Sequence, residues 1–75
     1  MTLQVNGEKL NYEDPITVTE LLIERKVKMP DMVSVELNGQ IILRSTFEEK
    51  KLSDGDRVEF MYFMGGGSEI NRGTN

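Results

Sequence analysis

Three consecutive glycines, Gly65-Gly66-Gly67, follow directly on the apolar run Val58-Glu59-Phe60-Met61-Tyr62-Phe63-Met64. A strand that runs out into backbone without side chains can slide into a narrow slot. That arrangement suits a protein whose terminal glycine carboxyl is itself the reacting group. It suits less well a protein that builds an active site of its own. Met64 to Gly67, fully extended, spans about 13–14 Å, enough to carry one group deep into a channel while the body docks outside. Any Cβ near the tip would thicken the thread and restrict its backbone. The polar residues 68–75 follow the glycines. The same Gly65-Gly66-Gly67-Ser68 composition also describes a flexible linker.

Little else in the chain offers chemistry. There is no cysteine, hence no thiol nucleophile and no disulfide, and no histidine, hence no Ser-His or Cys-His pair. The acid pairs Glu48-Glu49 and Asp54/Asp56 are candidate metal ligands. Two aspartates flanking a glycine are ordinary turn formers, however, and no third and fourth oxygen donors converge on them in the sequence. Metal ligands are therefore set at none. Arg44 and Lys50-Lys51 read as a solvated face, and Tyr12 and Tyr62 as half-buried packing residues. Near the glycines, Phe63, Met64 and Met61 are candidate partner-docking residues, since exposed methionines and aromatics mark adaptable interfaces. The competing reading makes them core.

The 75 residues carry 13 acidic and 9 basic side chains, a net charge of -4. One small domain is expected. An acidic domain is a poor partner for nucleic acid or anionic membranes. No apolar stretch nears the roughly 20 residues of a membrane span. The first residues lack a basic region followed by an apolar one, so the expected compartment is cytoplasmic.

The elements that must position the glycines are legible. Leu3 and Val5 alternate with polar neighbours, Asn6-Gly7 is a hairpin turn, and Lys9-Leu10-Asn11-Tyr12 resumes the alternation, giving a hairpin over 2–13. Asp14-Pro15 stops it. Thr17-Val18-Thr19-Glu20 fits a capping box that opens a helix over 18–27, with Val18, Leu21 and Leu22 on one face. Val33, Val35 and Leu37 form a strand, Asn38-Gly39 turns it, and Gln40-Ile41-Ile42 returns. A single helical turn over 45–49 packs Phe47 inward. Asp54-Gly55-Asp56 turns into the last strand, 57–64, with Val58, Phe60 and Tyr62 toward the core and Met61 and Phe63 away from it. The order ββαββ plus a final β implies an α+β protein of the β-grasp, ubiquitin-like class. A mixed sheet of four to five strands packs on one main helix, with the first and last strands neighbours at its centre. The domain is placed at 1–64, and 65–75 as a flexible Gly-rich tail.

These residues resemble a known family, the ThiS-type sulfur carrier proteins of the ThiS/MoaD ubiquitin-like group. The resemblance spans 1–67. It is carried by Val5-Asn6-Gly7, Thr17-Val18-Thr19-Glu20-Leu21-Leu22, Val35-Glu36-Leu37-Asn38-Gly39, Arg44, Leu52-Ser53-Asp54-Gly55-Asp56-Arg57-Val58-Glu59 and Phe63-Met64-Gly65-Gly66-Gly67. It implies a non-catalytic carrier in thiamine (thiazole) biosynthesis. A ThiF-like adenylating enzyme would use ATP to activate Gly67. Sulfur from a donor protein would replace AMP to give a thiocarboxylate, and a thiazole synthase would accept it. The carrier itself would bind no cofactor. Gly65 and Gly66 would line the threaded tail, and the free protein would be a monomer.

Two departures stand out. Leu43-Arg44 replaces the Pro-Arg of many members. Residues 68–75 also continue beyond glycines that usually end such carriers: either a tail-removing peptidase takes them off, which is the favoured reading, or the chain is not a working carrier, or the extension is not native. Other acceptors (molybdopterin or a sulfur amino acid), a ubiquitin-like modifier and a plain interaction domain are the alternatives. The absence of a Pro-Pro step before the glycines points away from the molybdopterin branch.

Overall fold

A computed structural model describes residues 1–63 and 70–72, with side chains described to Tyr62. The first hairpin is β1 (Thr2–Val5) and β2 (Glu8–Asn11), joined at Asn6 (φ 50°) and Gly7 (φ 85°). Two consecutive positive φ values define the turn whose twist matches flanking strands, and Asn-Gly is the pair that adopts it most cheaply. Asn38 (φ 51°) and Gly39 (φ 88°) repeat it between β3 (Val33–Leu37) and β4 (Gln40–Ile41).

The helix α1 covers Val18–Glu24. Its capping box is complete: the Glu20 amide donates to Thr17 Oγ1 at 3.1 Å, and the Thr17 amide donates to Glu20 Oε1 at 2.8 Å. The expected helix over 18–27 is too long. Lys26 adopts φ 58°, its amide donates to the Ile23 carbonyl, and the Val27 amide donates back to the Leu22 carbonyl. This paired closure ends helices at a left-handed residue, normally glycine; here a lysine occupies the position, and Val27 folds back onto the core.

After a short 3-10 turn at Arg44–Thr46, which buries Phe47, the chain enters β5 (Arg57–Phe63). The sheet order is β2-β1-β5-β3-β4, with β1 parallel to β5 and every other pair antiparallel. The first and last strands of the expected core sheet are indeed central neighbours. A further strand, β6 (Ile70–Arg72), pairs antiparallel with β5. It is not among the four to five strands expected, because one apolar residue, Ile70, among polar ones after three glycines carries no strand pattern.

One face of this sheet packs on α1. Leu3, Val5, Val33, Val35, Leu37, Val58 and Phe60 interleave with Val18, Leu21, Leu22, Phe47 and Leu52 in a single buried cluster. Period-two alternation puts each strand's apolar residues on that face. Backbone also ties the start of the helix to the connection that precedes the last long strand. The Val18 amide donates to the Lys50 carbonyl, and the Leu52 amide to the Ile16 carbonyl.

Candidate functional site

The site is the end of β5, where the chain leaves the centre of the sheet toward the glycines. Backbone alternation along β5 decides which neighbour each residue serves. The carbonyls of Asp56 and Val58 accept from Gln4 and Asn6 on the β1 side, while the Arg57 carbonyl accepts from Asn38 on the β3 side. Even-numbered residues therefore face β1, and odd-numbered residues face β3.

β1 turns away at Asn6, but the edge stays covered one step further. Asn6 Oδ1 accepts from the Phe60 amide at 2.9 Å. The next residue facing that edge is Tyr62, whose register partner is Asn71 of β6. On the other edge β3 reaches as far as Tyr62, with Val33 opposite Tyr62 and Ser34 opposite Met61.

Arg44 holds that outer part of β3. Its guanidinium donates to the Pro30 carbonyl at 2.6 Å and to the Val33 carbonyl at 2.5 Å, and it lies 5.4 Å from the centre of the Phe47 ring. Arg44 is exposed, as expected of a solvated face, and its planar, forked guanidinium also binds the carbonyls of Pro30 and Val33. Only a tertiary contact reveals this, because the partners lie 11 and 14 residues away.

Of the expected site residues, Met64, Gly65, Gly66 and Gly67 lie outside the described residues. Phe63 ends β5, with only its backbone described. Met61 is 3% exposed and lies outside the helix-side cluster, on the other face of β5 from Phe60. Its side chain is therefore covered in this state. Tyr62 is partly buried and packs against the core, as expected.

The aspartates act as turn formers. Asp54 Oδ1 accepts from the Thr2 amide at 2.7 Å; Asp56 accepts from the Ser53 amide at 2.8 Å and from Asn38 Nδ2 at 3.0 Å. Among the described residues no group of three or more His, Cys, Asp or Glu could hold a metal. No described helix is long and apolar enough to cross a membrane. At the far side of the molecule, Tyr12 donates to Glu24 Oε1 at 2.9 Å, joining the region after β2 to α1. Partial burial, then the bond to Glu24, raises the Tyr12 pKa above its ordinary value.

A mixed sheet wrapped over one helix, with β1 and β5 parallel at its centre, is the β-grasp fold of ubiquitin-like proteins. The ThiS family model matches residues 2–67. A crystal structure of the thiamine biosynthesis protein ThiS from Geobacter metallireducens superposes with a TM-score of 0.81 at 46% identity, covering 89% of this chain and 100% of that one. The sulfur carrier protein ThiS of Bacillus subtilis is 35% identical over 66 residues, 87% of this chain and 98% of that protein. A thiazole synthase of Paramagnetospirillum magneticum is 39% identical over 69 residues, 92% of this chain. The chain spans only 21% of that synthase's length, and 20% of a second one from Magnetococcus marinus. The chain belongs to the ThiS family.

Proposed function

We propose that this chain carries sulfur on the carboxyl of Gly67 and delivers it to a thiazole synthase. The observation that carries the reading is the junction at residue 63. The central strand of a ThiS-family sheet runs directly into Met64-Gly65-Gly66-Gly67, and the family match ends at residue 67.

A carboxylate is a poor electrophile at neutral pH, so activation needs a partner's ATP site. The Gly67 carboxylate attacks the α-phosphorus of ATP on a ThiF-like enzyme and pyrophosphate leaves. Sulfide, released at that oxidation level by a donor protein, then attacks the acyl carbon and AMP leaves, forming the thiocarboxylate. Residues 68–75 block the first step, because Gly67 is there an amide. A peptidase must first add water across the Gly67–Ser68 bond. The carrier supplies a rigid body and a slender thread; its partners supply the chemistry. Reliance on ATP supports the cytoplasm as the compartment.

The relatives favour thiazole synthase over other sulfur acceptors. Two proteins named thiazole synthase each contain a segment like this chain within a longer polypeptide. The test is a chain ending at Gly67, incubated with a ThiF-like enzyme, ATP and a sulfur source. Its intact mass should rise by the replacement of one oxygen with sulfur, and the chain extending to Asn75 should not change. An unchanged mass for the chain ending at Gly67 overturns the reading.

A further inference from the structure

We propose that β6 is an intramolecular clasp. Ile70–Arg72 fills the edge of β5 that β1 leaves open, and so tethers the chain beyond the glycines to the body until it is released. This inference rests on the carrier reading for its purpose, but its geometry stands apart from it.

The sheet itself creates the vacancy. β1 reaches β5 only at Arg57 and Val58, and the Asn6 side chain then covers the Phe60 amide. Tyr62 is the next residue with its N–H and C=O turned to that edge, by the alternation set at Asp56, Val58 and Phe60. Two unmatched backbone groups at the centre of a sheet are a template for a further strand. The register supplies one from the same chain: Met61 opposite Arg72, Tyr62 opposite Asn71, and Phe63 opposite Ile70. In an antiparallel ladder, a residue facing its partner strand exchanges both bonds with the residue opposite. Tyr62 and Asn71 are that pair.

The consequence for presentation is geometric. An extended thread needs the chain beyond Phe63 to leave the sheet. Ile70 lies opposite Phe63, so described residues on both sides of the glycines belong to the sheet. Hydrolysis after Gly67 undoes this. Three residues on a severed peptide cannot hold the edge against the entropy of a separate molecule, so the strand leaves. One cut thus frees both the Gly67 carboxyl and the Tyr62 edge.

The test is amide hydrogen exchange on the full chain and on Asn71→Pro, which removes the central donor of β6. The Tyr62 amide should exchange at least about tenfold faster in the variant, while Leu21 and Val35 are unchanged. A broad-specificity peptidase should also cut between residues 63 and 70 about tenfold faster in the variant. The double substitution Ile70→Gly/Arg72→Gly, which keeps every backbone donor but weakens the strand, should shift both rates in the same direction. Tyr62 exchange equal in all three chains overturns the clasp. Faster exchange with an equal cutting rate overturns its role as a restraint. None of these readouts uses an adenylating enzyme, so failure of Gly67 to take up sulfur is a separate result.

Discussion

The Arg44 guanidinium donates to the carbonyl of Val33, and Val33 is the register partner of Tyr62 on β5. A side chain in the 3-10 turn therefore steadies β3 at the point where that strand supports the exit of the chain. Arg44→Ala removes a charged donor from two carbonyls. The expected loss is about 1–3 kcal/mol in urea unfolding. Arg44→Lys should recover less than half, since one ammonium cannot reproduce a fork. Full recovery by lysine would show that charge alone matters.

Asn6 does two jobs with one residue. It takes the positive φ of the turn, and its Oδ1 accepts the Phe60 amide. Asn6→Gly keeps the first and loses the second, at a cost of about 1–2 kcal/mol and with faster exchange at Phe60. Asn6→Ala should cost about 1 kcal/mol more, because alanine resists the left-handed conformation.

Lys26 sits at φ 58° where helices usually place glycine. Lys26→Gly should relieve strain of about 1–2 kcal/mol and give back about 0.5–1 to a more flexible unfolded chain. The net gain of about 0.5–1 kcal/mol corresponds to a melting temperature roughly 2–8 °C higher. A lower melting temperature would mean that the lysine side chain makes a contact worth more than the strain.

Tyr12 holds its proton more tightly when folded than when unfolded. Its contribution to stability is therefore fully present below the unfolded value of 10.0 and is lost as pH rises through the higher folded value. Unfolding free energy measured from pH 8 to 11.5 should fall at the alkaline end. In Tyr12→Phe that part of the fall should disappear, alongside a pH-independent loss of about 0.5–1.5 kcal/mol for the bond to Glu24.

Within the proposed function, a β-branched residue in the thread should block loading without unfolding the body. Gly66→Val in a chain ending at Gly67 should slow formation of the thiocarboxylate by on the order of 10²-fold, with the melting temperature unchanged. Equal rates would mean that the partner's channel does not grip residue 66.

The features legible in the sequence are those set by neighbours along the chain. Asn-Gly pairs adopt positive φ wherever they occur, and a threonine three residues before a glutamate caps a helix by itself. Alternation declares one face of each strand. These local rules placed both hairpin turns, the start of α1 and Phe47 in the core, while the order of elements along the chain implied the central pairing of β1 with β5. Four features needed the tertiary structure. The helix stops at Glu24 because Val27 finds the core, which forces Lys26 into a conformation no local rule would choose. Met61 is buried although alternation turns it away from the helix. Arg44 binds carbonyls that are distant in sequence, and Ile70–Arg72 become a strand only because β1 ends too early to cover Tyr62. Each of the four depends on which atoms are left unsatisfied or uncovered after the rest has packed, and no stretch of sequence specifies that by itself.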